Sequence, residues 1–248
     1  MLRVLFLAIL ALIGPANAAE DPCAGRRESG AIRAFDPTLG LVLADGTRLV
    51  LADVTLAAWP RGLAEASSLA LDGMSSLVGQ SVAYKAFGTP DALGRRKAHL
   101  WVGEDWLQAG LVAQGRVRVA PERAASCAGR LLGLEAAARQ AERGIWSEER
   151  VADAHDPDLL RNATGTYQLV AGRVRDVAQT RAGTYVNFGD RWRFDTTVLV
   201  TPGLAREIGE DVLNALEGRP VLVRGWIENV NGPLIRLRSP LQLRPIDE

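Results

Sequence analysis

The chain has 248 residues, 48% hydrophobic and 23% charged, and its 29 basic and 29 acidic side chains leave a formal net charge of zero. That balance excludes the strongly basic class of protein that attracts nucleic acid at long range, so any site for a polyanion must be local. The length admits one large domain or two small ones, and the pattern along the chain has to decide between them.

Residues 1–19 carry one basic residue, Arg3, then an apolar run from Val4 to Ile13, then Gly14-Pro15 and the small residues Ala16-Asn17-Ala18. This is the layout of a secretory signal peptide, so we expect an exported protein, periplasmic or extracellular, starting near Ala19. The apolar run falls short of the roughly 20 residues of a membrane-spanning helix, and no later segment reaches that length, so no membrane span is expected. The two cysteines, Cys23 and Cys127, both lie beyond the leader. In an oxidising compartment they are expected to form a disulfide closing a loop of about 100 residues, with one buried and one free thiol as the alternative.

From Gly30 to Val54, short apolar runs at Ala31-Ile32, Leu41-Val42-Leu43 and Leu49-Val50-Leu51 are separated by Asp36-Pro37-Thr38 and by Asp45-Gly46. This reads as a β-meander. An Ala- and Leu-rich stretch from Gly62 to Val78 predicts a helix, and Ser81–Phe87 and Lys97–Val102 predict strands. Two further helices are expected, one ending at Gly115 and one stopping at Gly144. Residues 151–164 are polar and aperiodic and contain Pro157, which marks them as a linker. Beyond them come five strand-like runs, Gln168–Val177, Thr184–Phe188, Phe194–Val200, Pro220–Val230 and Leu234–Leu237. A helix-like insertion from Leu204 to Leu216 separates the third from the fourth, which is the order of an OB barrel.

Several short matches within 30–149 fall in the order found in one family. Leu41-Val42-Leu43-Ala44-Asp45-Gly46, Leu51-Ala52-Asp53-Val54, Leu93-Gly94-Arg95, Leu111-Val112-Ala113-Gln114-Gly115 and Gly144-Ile145-Trp146-Ser147-Glu148 together resemble the staphylococcal-nuclease (thermonuclease) family over a whole domain. The resemblance implies a mainly β fold with α: two OB-type β-barrels, the first a nuclease-like barrel with packed helices. The expected organisation is a signal peptide at 1–19, a nuclease-like domain at 20–150, a linker at 151–164 and an OB-fold domain at 165–248.

The family's reaction is calcium-assisted phosphodiester hydrolysis, in which carboxylates hold the metal, a glutamate positions water and two arginines neutralise the phosphate. Aligned on Ala44-Asp45-Gly46, the metal-binding positions fall on Pro37-Thr38-Leu39-Gly40, and the arginine, aspartate and glutamate fall on Val50, Thr55 and Ala58. Only Arg95 keeps its family identity, as a candidate phosphate contact. Sliding the alignment by two residues brings Arg48 and Asp53 to the family spacing, and a two-residue slip preserves the strand face. Leu56 then replaces the glutamate, and Asp36 is left as a lone carboxylate near the metal position. Solvated turn and strand charges are the plain alternative for Asp36, Asp53 and Arg48. The domain is therefore expected to be catalytically degenerate and to need no cofactor, calcium entering only if hydrolysis survives. His99 falls in a predicted strand and His155 in the linker, with no ligand spacing around either.

The second domain resembles OB modules of the nucleic-acid-binding kind, through Tyr185-Val186-Asn187-Phe188-Gly189 and Val221-Leu222-Val223-Arg224-Gly225-Trp226-Ile227. Its candidate binding residues are Arg173, Arg175, Tyr185, Trp192 and Arg193, arginines to track phosphates and aromatics on which bases stack. Arg173 and Arg175 are expected on one face of the first strand, and one of Tyr185 and Phe188 in the core. With 11 basic and 10 acidic residues from Thr164 onward, salt-dependent attraction would be small. Three readings follow: an exported non-catalytic binder of a protein or polymer partner, a binder of single-stranded nucleic acid, and a nuclease with altered or residual activity.

Overall fold

Two hydrophobic clusters, one centred on Leu43, Leu49 and Leu100 and the other on Val186, Val198 and Ile235, organise a mainly β chain with short helices. A computed structural model describes residues 25–122, 127–191 and 193–246. The leader expected at 1–19, Cys23 and Trp192 all lie outside the described residues. No helix among those described is long and apolar enough to cross a membrane.

In the first half the elements run β1 (Glu28–Phe35), β2 (Gly40–Leu43), β3 (Arg48–Leu51), β4 (Val54–Thr55), α1 (Leu63–Asp72), β5 (Ser81–Phe87), β6 (Arg96–Val102), β7 (Asp105–Trp106), α2 (Leu107–Ala113), β8 (Arg118–Val119) and α3 (Ala128–Gln140). β1 serves two neighbours: Glu28 to Ala31 pair with β5, and Ile32 to Phe35 pair with β2, with an irregularity between Ile32 and Ala34 where the strand changes partner. Such a bulge bends a strand. The parallel pairing of β3 with β6 then returns the sheet to its start through β5, so the strands form a hydrogen-bonded ring. Alternation places Leu41, Leu43, Leu49, Leu51, Ala98 and Leu100 inside it. Leu111, Val112 and Leu131, from α2 and α3, belong to the same apolar cluster.

The predicted helix at 62–78 is shorter than expected: α1 stops at Asp72, Gly73 caps it, and a separate 3-10 turn follows at Ser75–Leu77. The stop at Gly115 holds, one residue past the Gln114 cap of α2, whereas α3 already ends at Gln140 and Gly144 opens a separate 3-10 turn, Gly144–Ser147. Gly115 and Gly144 adopt φ of 65° and 56°, and a Cβ on Gly115 would lie 2.1 Å from the Arg143 carbonyl oxygen. The two segments can meet this closely only because neither residue has a side chain.

The second half runs β9 (Ala152–Asp153), α4 (Pro157–Asn162), β10 (Tyr167–Arg173), β11 (Asp176–Thr180), β12 (Gly183–Asn187), β13 (Thr197–Val200), α5 (Pro202–Ile208), α6 (Glu210–Asn214), β14 (Pro220–Asn229), β15 (Pro233–Arg236) and β16 (Leu243–Pro245). Its pairing repeats the logic of the first half, since one divided path, β10 then β11, pairs first with β14 and then with β12. β13 and β15 run parallel, as β3 and β6 do. The stretch expected as an aperiodic linker is built into this half. β9 adds a parallel strand to β10, and α4 is capped by Asp156 Oδ1, which accepts from the Leu159 amide at 2.9 Å. Leu160 and Ala163 are fully buried. A six-residue helix is too short to display a period in sequence, which is why the segment reads as a loop.

The two halves meet across buried charge. Arg118, on β8, donates to Glu149 Oε2 at 2.5 Å, to Gln168 Oε1 at 3.1 Å and to the Tyr167 carbonyl, while Arg61 also pairs with Glu149. Burial pushes the Glu149 carboxyl up despite its two arginine partners. Arg224, on β14, reaches back to Glu135 of α3. An apolar seam of Ala57, Ala138, Ile145, Trp146, Leu169 and Leu222 lies between the halves. Relative domain motion, the expectation from a polar linker, would have to expose all of these groups to water together.

Candidate binding groove

The candidate phosphate-site residues of the first half separate into two places. Arg95, after the turn that follows β5, points its guanidinium at the β1–β2 turn: Nη1 lies 3.3 Å from Asp36 Oδ2 and 2.6 Å from Thr38 Oγ1, and Nε donates to Asp91 Oδ2 at 2.9 Å. Arg48 comes close only through Nη1, 3.4 Å from the Leu93 carbonyl. Asp36 Oδ1 accepts from the Thr38 amide at 2.7 Å, the Thr38 hydroxyl at 2.6 Å and the Gly40 amide at 3.1 Å. Partial burial pushes its pKa up, but these hydrogen bonds and Arg95 outweigh that and hold the carboxyl below its usual range. These residues do not fit a calcium ion. A single carboxylate whose lone pairs already order a turn cannot supply the six to eight oxygens the ion takes. No group of three or more His, Cys, Asp or Glu residues among those described is placed to hold a metal.

Asp53 lies elsewhere, and its burial corrects the reading of it as a solvated charge. It sits beyond the end of β3 in the left-handed region, φ 59°, and is 1% exposed. Its Oδ2 lies 3.3 Å from His99 Nε2, and its carbonyl accepts from the Ala120 amide at 2.8 Å. His99 is enclosed by Phe87, Trp101 and Trp106, with ring centroids 5.7, 6.3 and 5.3 Å away. A closed aromatic box around a buried Asp–His contact secures β6 to the chain leaving β8; no substrate can reach it. His155 is also structural, with Nε2 accepting from the Arg173 amide at 3.3 Å and the ring set edge-on to Phe188. Cys127 is buried at the start of α3.

A concavity of about 790 Å³ lies on the second half. That volume falls within the usual range for ligand sites, about 300–1,000 Å³. Its floor follows from strand register. Asp176, Asn187, Thr197 and Leu234 stand opposite one another across β11, β12, β13 and β15, and Ala178, Tyr185, Leu199 and Arg236 form a second row two residues along. All eight line the cavity. The intervening row, Val177, Val186, Val198 and Ile235, points the other way into the apolar cluster, as the period of two requires.

The first row is a hydrogen-bonded chain: Thr197 Oγ1 donates to Asn187 Oδ1 at 3.1 Å, and Asn187 Nδ2 donates to Asp176 Oδ2 at 3.2 Å. The second row sets the partly buried Tyr185 beside Ala178 and Leu199. At the margins Arg175 pairs with Asp190 at 2.6 Å and Arg236 with Glu228 at 3.3 Å. The hydrogen bond that Arg175 donates to Asp190, with the nearby Asp190, Asp176 and Glu217 charges, raises the Arg175 pKa.

Of the sequence-predicted binding residues, the fold brings Arg175 and Tyr185 into this groove and leaves Arg173 and Arg193 outside its lining. Arg173 ends β10 and donates to the Gly218 carbonyl at 2.5 Å, whereas Arg175 stands beyond the break between β10 and β11. Their expected shared face is lost at that break. Phe188 is the core aromatic and Tyr185 the groove aromatic. Sequence reading missed Asp176, Asn187, Thr197 and Arg236. The alternation that selects them is visible along each strand, but the cross-strand neighbours that make them a row are not. No family model matches the chain, and no curated protein matches it.

Proposed function

We propose that this chain is an exported, non-catalytic binding protein, periplasmic or extracellular, in which a degenerate thermonuclease-like unit supports a second unit that holds an extended polymer. Both units are read as OB-type barrels. In support, each sheet divides one bent strand path between two neighbours and pairs its third and fifth main strands in parallel. The observation that carries the binding reading is the open floor of two side-chain rows across four strands, polar in one and centred on Tyr185 in the other. A groove of this form accommodates a chain lying across the strands, with an apolar platform beside a strip of hydrogen-bonding groups.

The degenerate reading of the first unit rests on Asp36 and Arg95, whose polar atoms engage each other, Thr38 and Asp91, and on Asp53, which is closed off against His99. The test is retention of the purified protein on immobilised polymers: single-stranded DNA, a cell-wall glycan and an unfolded polypeptide, each with and without calcium. Wild-type protein should be retained on at least one of them, and Tyr185→Ala should not. Equal retention of both proteins, retention on none, or calcium-dependent cleavage of the DNA would overturn the proposal.

A further inference from the structure

Resting on that reading of the groove, we infer that its ligand is a neutral, hydroxyl-rich chain, an oligosaccharide, in preference to a nucleic acid or a peptide. Charge is the first ground. The cavity is lined by Asp176, Asp190 and Glu217 against Arg175 and Arg236, and each arginine already holds a carboxylate, Asp190 and Glu228 respectively. A phosphate backbone would meet Asp176 and Glu217 with no surplus cation to offset them, and counterion release, the main source of nucleic-acid affinity, would be small.

The second ground is the hydrogen-bonding inventory of the polar row. Thr197 and Asn187 orient one another, and Asn187 uses one of its two amide hydrogens on Asp176 Oδ2. The other amide hydrogen and the second carboxylate oxygen of Asp176 remain as a donor and an acceptor side by side. A hydroxyl group both donates and accepts, so a pair of neighbouring hydroxyls matches this arrangement, whereas a phosphate only accepts. The third ground is the adjoining row. Tyr185 with Leu199 offers a flat apolar surface next to the polar strip. A pyranose ring has the same two-sided character, a C–H face and a hydroxyl rim. A peptide would dock by main-chain hydrogen bonds to an unpaired strand edge; the outer side of β11 is such an edge, but the groups that form the groove floor are side chains standing across β11, β12, β13 and β15, which pair with one another.

The inference is tested by calorimetric titration of the full protein with four soluble probes: tetramers of N-acetylglucosamine and of glucose, a thymidine oligonucleotide, and an extended peptide carrying lysines. At least one tetramer should bind, with an affinity that changes little as salt is raised tenfold. Asp176→Ala and Tyr185→Ala should each weaken it by about tenfold or more, the loss expected of one stacked or bonded contact, while Tyr185→Phe keeps the platform and binds nearly as wild type. Thermal unfolding of each variant checks that the fold is intact. Groove-dependent binding of the oligonucleotide or the peptide without either sugar would overturn the oligosaccharide assignment and leave the groove reading standing. Binding of none of the probes, together with no retention on the immobilised polymers, would overturn both.

Discussion

Arg224 Nη1 lies 2.7 Å from Glu135 Oε2, a contact between residues 89 positions apart that joins the second sheet to the last long helix of the first half, with both side chains at most 5% exposed. The other oxygen, Glu135 Oε1, accepts from the Val119 amide at 2.7 Å, and Arg224 donates to the Val119 carbonyl at 3.1 Å. One carboxylate and one guanidinium thus satisfy each other and the β8 backbone in a place that water does not reach. Two regions of the chain that could have been independent are thereby made to depend on one another.

Removing one partner should cost far more than removing both. Glu135→Ala leaves the Arg224 charge buried beside an unsatisfied Val119 amide and should destabilise the protein by about 3–5 kcal/mol. The double replacement Glu135→Leu with Arg224→Met should recover most of that loss, because a well-packed apolar pair removes the desolvation penalty of both ions. Urea unfolding measures the difference. The wild type should also unfold in one transition, since the seam exposes its ion pairs and apolar contacts together. Two resolved transitions would contradict a coupled seam.

Asp53 allows backbone and side-chain contributions to be separated. At φ 59° an aspartate or asparagine is tolerated, whereas most other residues with a Cβ are strained by roughly 1–2 kcal/mol. Asp53→Asn should therefore cost less than about 1 kcal/mol, since it keeps both the conformation and a polar group facing His99. Asp53→Ala combines strain with a stranded buried imidazole and should cost about 2–4 kcal/mol. Asp53→Gly, free of strain but without the partner, should fall between them. Equal melting temperatures for the three variants would remove the Asp53–His99 contact from the account.

The turn built on Asp36 predicts an acid response. Because the folded-state pKa is lowered, the turn's contribution is fully present above the ordinary aspartate value, about 3.9, and fades as the pH falls through and below it. Thermal stability followed from pH 6 down to pH 2 should show this loss in the wild type. In Asp36→Asn, stability should be lower at neutral pH by about 1 kcal/mol and the acid slope shallower. Identical slopes in the two proteins would show that Asp36 is not a source of the acid sensitivity.

Much of this architecture was legible in the order of residues. The alternation in Leu41-Val42-Leu43 and Leu49-Val50-Leu51 marks strands β2 and β3, and Gly115 ends its helix where it was expected to. Both features are local: a period of two, or a residue free to take positive φ, is written within a few positions. The α4 segment was not legible, because six residues around one buried leucine carry too little pattern to distinguish from a loop.

The sequence by itself therefore determined the mainly β character, the positions of most strands, and the presence of Arg175 and Tyr185 as candidates for binding. The tertiary structure alone decided that Tyr185 shares a floor with Asp176, Asn187, Thr197 and Arg236, that Asp53 turns inward to His99 instead of meeting Arg48, and that Glu135 meets Arg224. The physical reason is range. Strand periodicity is set by neighbours one or two positions away, but a site is set by register between strands and by burial. Both depend on which distant segments pack together to remove apolar surface from water.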